Sequence, residues 1–133
     1  IHARGLDSCF AVIAGTTEPQ KYYRAMSIYV CASEVEGMSN SIMEAMASGL
    51  PVIATTVGGN AELVIDSSTG FLVPPYAPEE IAACASTLIA MNGARLRMGA
   101  RARELVISRF SMSAMVRAHE KLYTELLARS LHG

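Results

Sequence analysis

The chain has 133 residues, which suits one domain with a buried core. Its formal net charge of -1 at pH 7 argues against a nucleic-acid-binding protein, which usually presents a basic face. Hydrophobic residues make up 51% of the chain, yet no apolar run reaches the roughly 18 residues that a membrane-spanning helix needs. Cys9, Cys31 and Cys84 lack the spacing of metal ligands, so reduced thiols in a cytosolic protein are expected.

Short apolar runs alternate with helical patterns along the chain. The runs are apolar almost throughout, as in parallel strands that helices cover on both faces. Asn60 is expected to cap a short helix, and Asn92-Gly93 to end a longer one. The predicted strands are 10–14, 28–31, 51–54 and 71–73, and the predicted helices are 19–25, 40–47, 60–65, 78–91, 94–109 and 113–129. The fold class is therefore α/β, a parallel sheet flanked by helices in one domain over residues 1–133.

The last two predicted helices carry polar and apolar patterns rather than a candidate site. Five arginines spread around the first of them, which favours a solvated face over an anion site. The last helix has an apolar stripe, in which His119 is expected to be a packed histidine rather than a catalyst. The stripe consists of Met115, Val116, His119, Leu122, Tyr123, Leu126 and Leu127.

The segment from Ser33 to Pro51 contains the candidate site. It follows a predicted strand and opens a helix, so it lies at the carboxyl end of the parallel sheet, where ligands of α/β folds bind. The backbone N–H groups around Ser39-Asn40-Ser41 would face an anion at the positive end of the helix, which suits a diphosphate. Gly37 permits a ligand to approach the backbone closely.

Two carboxylates flank this anion site. Glu36 lies just before the helix and Glu44 about one turn inside it, and both can accept hydrogen bonds from neutral hydroxyl groups. Backbone N–H groups that donate to a diphosphate, combined with two carboxylates that accept from hydroxyls, are typical of a pocket for a nucleotide sugar. Two structural explanations stay open beside it: Ser41-x-x-Glu44 has the spacing of a capping box, and Glu36 has the position of an ordinary solvated loop acid.

The same segment and its continuation resemble a known family, the group 1 glycosyltransferases (glycosyltransferase family 4). The resemblance covers most of the chain and weakens in the last two helices. It rests on Glu36 and Glu44 eight residues apart, Glu44-Ala45-Met46-Ala47, Gly49-Leu50-Pro51-Val52, Gly58-Gly59, Glu62 and Gly70-Phe71-Leu72-Val73-Pro74. Members have the GT-B fold, in which two Rossmann-like domains face each other across a cleft. The resemblance implies that this chain is a Rossmann-like parallel sheet flanked by helices, part of the C-terminal domain of such an enzyme.

The resemblance implies roles for particular residues. Glu36 would contact hydroxyls of the donor sugar as the catalytic residue, and Glu44 would hold the ribose hydroxyls. The nucleobase would lie at the loop Gly15-Thr16-Thr17. The sugar and diphosphate would be lined by Gly37, Met38, Ser39, Asn40, Ser41 and Ile42. No metal or cofactor is expected, because the family generally needs no metal and the sequence has no Asp-x-Asp pair or His/Cys cluster; the nucleoside diphosphate sugar is the substrate.

The resemblance also implies what surrounds the chain. An acceptor-binding N-terminal domain and a basic pair that neutralises the diphosphate would precede Ile1, so the chain is expected to be a truncated domain. Gly37-Met38-Ser39 replaces the Gly-Phe-Gly of many members and is similar to a Gly-x-Ser-Asn subgroup that builds cell-surface polysaccharides. A cytoplasmic enzyme is expected, with peripheral association at the inner membrane face and no nucleic-acid partner.

Three functions are therefore open from the sequence. The first is the donor-binding part of a retaining glycosyltransferase, inactive when isolated. The second is a sugar-nucleotide epimerase or phosphorylase-like enzyme of similar shape. The third is a non-catalytic module that binds a partner protein, against which the presence of both Glu36 and Glu44 argues.

Overall fold

The computed structural model describes residues 2–130 and contains a parallel three-stranded sheet with helices against both faces. The strands are β1 (Tyr29–Cys31), β2 (Val52–Thr55) and β3 (Gly70–Val73), in spatial order β1-β2-β3. The helices are α1 (Pro19–Ala25), α2 (Asn40–Ala47), α3 (Asn60–Leu63), α4 (Pro78–Ala90), α5 (Asn92–Phe110) and α6 (Met112–Ser130), and two 3-10 turns precede them at His2–Arg4 and Asp7–Cys9. This architecture confirms the predicted α/β fold class.

The central strand β2 divides the core into two layers. Val52 and Ala54 pack on one face, in a cluster that also contains residues of α2 and α5. Ile53 points to the other face and packs with Leu88 of α4. All three side chains are fully buried, because successive residues of a strand face opposite sides and both sides are covered here.

The turn after α2 connects the candidate site to β2. Gly49 has φ +80°, a left-handed conformation that glycine adopts without steric cost at the end of a helix. The N–H of Leu50 then donates to the carbonyl of Ala45 at 3.1 Å. The predicted helix over residues 40–47 is thus confirmed, and the strand predicted from residue 51 begins one residue later, at Val52.

The predicted first strand is wrong. Residues 10–14 form no ladder with another strand among the residues that the structure describes, and Phe10, Val12 and Ile13 are 56, 87 and 54% exposed. Phe10 has extended backbone angles, φ -124° and ψ 135°. Phe10 therefore has strand-like angles, but residues 10–14 have no neighbouring strand to pair with in the described part of the chain.

Three details of the C-terminal helices also differ from the predictions. Asn92 is the first residue of α5 rather than the stop of α4, which ends at Ala90. The apolar stripe of α6 is exposed; for example, Leu122 and Leu127 are 49 and 65% exposed. His119 is likewise exposed, and its Nδ1 lies 2.9 Å from the Met115 carbonyl, so it is not a packed core histidine.

In the described part of the chain, no helix combines the length and apolar character needed to cross a membrane.

Candidate functional site

The loop between β1 and α2 lies at the carboxyl end of the sheet and contains most of the predicted site. Ser39, the residue before α2, is 2% exposed, and its hydroxyl lies 3.0 Å from that of Ser41. Gly37 and Met38 are exposed beside it, and Glu36 is half-buried. The predicted residues from Glu36 to Ile42 therefore form one continuous segment across the start of α2.

The N-terminus of α2 has free hydrogen-bond donors. The first helical hydrogen bond is donated by Met43 N–H to the Ser39 carbonyl at 3.2 Å. The Ser39 side chain makes no capping hydrogen bond. Within residues 2–130, no group accepts a hydrogen bond from the backbone N–H of Asn40, Ser41 or Ile42. These donors and the positive end of the helix dipole remain available to an anion.

The loop after β2 fixes the backbone around Glu36. Gly59 N–H donates to the Gly37 carbonyl at 2.7 Å. Gly58 has φ +51°, and a Cβ added to it would lie 1.7 Å from the Glu36 carbonyl oxygen. Thr55, at the end of β2, donates its hydroxyl to the Ser33 carbonyl at 2.6 Å. The strand end and the two glycines therefore hold the segment from Ser33 to Gly37 at both ends.

Asn60 supports this loop from inside the protein. It is fully buried, and its Nδ2 donates to the Thr55 carbonyl at 3.0 Å. The predicted capping role is wrong, because Asn60 is the first residue of α3 and the preceding Gly59 occupies the capping position. A capping side chain must accept a hydrogen bond from a helix N–H, whereas Asn60 donates to the preceding strand.

Glu44 is held by a tyrosine rather than by a capping box. Its Oε2 accepts a hydrogen bond from the Tyr23 hydroxyl at 3.1 Å. Because α2 begins at Asn40, Ser41 and Glu44 do not occupy the positions of a capping box, and that explanation of Glu44 is wrong. Glu44 itself is exposed, so its carboxylate is accessible to a ligand.

Tyr23 is a hydrogen-bond donor at neutral pH. Burial, and then the hydrogen bond to Glu44, raise the pKa of Tyr23 from 10.0 to about 12. The phenol thus keeps its proton in the physiological range. Its ring is 7% exposed and packs edge-on against Tyr29, with the ring centroids 5.8 Å apart.

Two depressions adjoin this pair of residues. A groove of about 350 Å³ between α2 and the end of α5 includes Asn40, Met43 and Glu44. A second depression, of about 280 Å³, includes Gly15, Thr16 and Tyr23. The structure thus brings two of the three predicted nucleobase residues to a tyrosine that contacts Glu44, whereas Thr17 does not line this depression.

The described side chains contain no metal-binding group of three or more His, Cys, Asp or Glu residues. Cys9, Cys31 and Cys84 are free thiols. Cys31 is buried at the end of β1, with its sulfur 3.4 Å from the Ser33 hydroxyl. The site consists instead of backbone N–H groups, hydroxyls and carboxylates.

Comparison with known families identifies the chain. The sequence model for "Glycosyl transferases group 1" matches residues 2–91. The chain belongs to this glycosyltransferase family. The resemblance seen in the sequence is therefore confirmed.

Curated glycosyltransferases are similar over most of the chain. It is 30% identical over 119 residues to the capsular polysaccharide biosynthesis glycosyltransferase CapM of Staphylococcus aureus. This alignment covers 90% of the chain and 31% of CapM. It is 38% identical over 106 residues to the D-inositol 3-phosphate glycosyltransferase of Corynebacterium glutamicum (strain R), covering 80% of the chain and 25% of that enzyme. The chain thus spans about a third or less of the curated relatives it matches.

Solved glycosyltransferase structures share the fold. The sucrose-phosphate synthase of Thermosynechococcus elongatus has a TM-score of 0.86 and 30% identity, over 96% of this chain and 33% of that one. Anabaena HepE in complex with UDP has a TM-score of 0.86 and 25% identity, over 92% of this chain and 34% of that one. These comparisons confirm the predicted Rossmann-like fold.

Two residues of the candidate site could not be assigned from the sequence. Tyr23 precedes its partner Glu44 by 21 positions, and its sequence context gave no sign of the contact. Thr55 ends a buried strand, where a polar residue among apolar neighbours could have indicated a hydrogen bond to an adjacent loop. The motif Gly58-Gly59 is visible in the sequence, but the close approach of Gly58 to the Glu36 carbonyl depends on the fold.

Proposed function

We propose that this chain is the donor-binding part of a retaining glycosyltransferase that moves a sugar from a nucleoside diphosphate sugar to a hydroxyl acceptor. The observation that carries the proposal is the start of α2. Three backbone N–H groups without an acceptor in the described chain lie there, between Glu36 in the loop before the helix and Glu44 within it. Such an arrangement offers both anion donors and hydroxyl acceptors to one ligand.

The donor fits these groups in a definite order. The diphosphate takes the N–H groups of Asn40, Ser41 and Ile42, and the exposed backbone of Gly37 and Met38 lies beside the sugar. Glu36 accepts hydrogen bonds from hydroxyls of the transferred sugar and is the proposed catalytic residue. Two further groups complete the donor site: Glu44 for the ribose, and the loop Gly15-Thr16-Thr17 for the nucleobase, with Gly15 and Thr16 lining the depression.

The helix also favours departure of the nucleoside diphosphate. When the bond between the anomeric carbon and the diphosphate breaks, negative charge grows on the leaving phosphate. N–H donors fixed by the fold stabilise that charge without reorganising during the reaction. The proposal involves no metal ion or cofactor, and the nucleoside diphosphate sugar is the substrate.

The comparisons support this proposal from two sides. HepE has been solved with UDP and with UDP-glucose, and at 25% identity it shares this fold over 92% of the chain. CapM is a capsular polysaccharide enzyme, and the similar LpsE of Rhizobium meliloti is a lipopolysaccharide core enzyme. We therefore propose a role in cell-surface polysaccharide synthesis, with the acceptor-binding domain in another part of a longer polypeptide that works at the cytoplasmic face of the inner membrane.

A transfer assay tests the proposal that this chain binds the donor while another part of the polypeptide binds the acceptor. The 133-residue chain alone is expected to transfer no sugar from radiolabelled UDP-, GDP- or ADP-sugars to lipid or glycan acceptors, because the proposal puts acceptor binding elsewhere. The longer polypeptide is expected to transfer one of them and to keep the anomeric configuration, which NMR of the product shows. Turnover by the chain alone, or an inverted product, would overturn the corresponding part of the proposal.

A further inference from the structure

The carboxylate of Glu44 and the phenol of Tyr23 form a pair in which one member is exposed and the other buried. The hydroxyl of Tyr23 lies 3.1 Å from Oε2 of Glu44, and Tyr23 is 7% exposed. We propose that Tyr23 is a positioning residue that sets the orientation of the Glu44 carboxylate for a ribose. The inference rests on the proposed function of Glu44.

The fold holds the Tyr23 ring in place before any ligand binds. Tyr23 belongs to the core cluster that includes Ile42 and Met46 of α2. Its ring meets that of Tyr29 of β1 edge-on, at an interplanar angle of 71°. Because the ring contacts both a strand and the helix that carries Glu44, its hydroxyl is a fixed donor rather than a mobile surface group.

A fixed donor changes what an exposed glutamate can do. Oε2 already accepts one hydrogen bond, while Oε1 and the remaining lone pair of Oε2 can accept from a ligand. A glutamate on an open helix face otherwise samples many rotamers and loses that freedom on binding. Anchoring one oxygen lowers this cost, so the carboxylate meets adjacent ribose hydroxyls already oriented.

The position of Tyr23 connects two parts of the proposed donor site. It lines the depression that contains Gly15 and Thr16, and its hydroxyl contacts Glu44, which lines the groove beside α2. A nucleoside with its base at the first depression and its ribose at Glu44 would cross Tyr23. A residue that only packed the core would not need a polar atom at this point.

The effect of Tyr23 can be measured with a ligand that lacks the ribose hydroxyls. The 133-residue chain is titrated by calorimetry with UDP, GDP and ADP, and the tightest ligand is compared with its 2′,3′-dideoxy analogue. Tyr23→Phe keeps the ring and removes the hydroxyl. We expect it to weaken the nucleoside diphosphate about three- to tenfold and the dideoxy analogue less than about twofold.

Two controls separate positioning from packing. Tyr123→Phe removes a hydroxyl from an exposed tyrosine of α6 that lines neither depression, and it is expected to leave both affinities unchanged. In a Glu44→Ala background, Tyr23→Phe is expected to have no further effect on the nucleoside diphosphate, because the two residues act as one unit.

The outcomes distinguish this inference from the proposed function. If the unaltered chain binds a nucleoside diphosphate but Tyr23→Phe weakens neither ligand, or weakens both equally, the positioning role of Tyr23 is wrong and the proposed function stands. If neither the 133-residue chain nor the longer polypeptide binds any of the three nucleoside diphosphates, the proposed donor site is wrong and the inference falls with it. Thermal unfolding of each variant confirms that affinities are compared between folded proteins.

Discussion

Gly58→Ala is expected to destabilise the protein by about 2–4 kcal/mol and to weaken donor binding more than tenfold. Gly58 has φ +51°, where an alanine pays a steric cost that glycine does not. The added Cβ would also lie 1.7 Å from the carbonyl oxygen of Glu36. Backbone atoms cannot rotate away as a flexible side chain can, so the segment that contains Glu36 must move.

Urea denaturation and donor titration measure the two consequences of Gly58→Ala. Gly37→Ala is the matched control for stability, because a Cβ at Gly37 has no atom within 4 Å. It is expected to leave the free energy of unfolding within about 1 kcal/mol of the unaltered chain. Equal unfolding midpoints for Gly58→Ala and the unaltered chain would show that the close contact with Glu36 is not a constraint.

The second large effect is a difference between Glu44 and Glu36 in which ligand binds more weakly after substitution. Glu44→Gln is expected to weaken both a nucleoside diphosphate and its nucleotide sugar, since both contain the ribose. Glu36→Gln is expected to weaken only the nucleotide sugar. Each change removes a charge-assisted hydrogen bond, so the loss is about 1.5–3 kcal/mol, or about ten- to a hundredfold in affinity. Glutamine still accepts one hydrogen bond, which puts the expected loss at the lower end.

Calorimetry with both ligands tests this assignment, and circular dichroism confirms that each variant is folded. Glu34→Gln is the matched control, because Glu34 is an exposed acid two residues before Glu36. This variant is expected to bind both ligands with unchanged affinity. Equal losses of both ligands in Glu36→Gln, or no loss of either in Glu44→Gln, would refute the proposed roles.

The central part of the fold could be predicted from the sequence because its signals are local. The apolar run of β2 is short, and it is followed within a few residues by turn-forming glycines. The helix α2 is bounded by Ser39 and by Gly49, whose left-handed conformation suits a helix end. These features do not depend on distant residues, so the strand, the helix and their order can be predicted from the sequence.

The errors arose where the outcome depends on a partner. Residues 10–14 are as apolar as a strand, but apolar composition does not specify which strand would pair with them. The stripe of α6 has the period of a packed helix, yet Leu126 is 50% exposed in this structure. Periodicity predicts the face that a helix would bury and says nothing about what covers it.

The candidate site shows the same division. Glu36, Glu44 and the N-terminus of α2 lie within nine residues, so their proximity followed from the sequence alone. The contacts of Tyr23 with Glu44 and of Gly58 with Glu36 join segments about 20 residues apart in sequence. Such pairs become visible only when the order of the strands and the packing of the helices are known.

The central claim is that the start of α2 binds the diphosphate of a nucleotide. NMR of the ¹⁵N-labelled chain, titrated with UDP, GDP or ADP, tests it most directly, because each backbone N–H gives its own signal. With the nucleotide that binds, we expect the largest shift changes at Gly37, Asn40, Ser41 and Ile42, at concentrations that leave signals from α4 unchanged. No change with any of the three, or changes centred on the separate groove between Ile65 and Ser108, would contradict the claim.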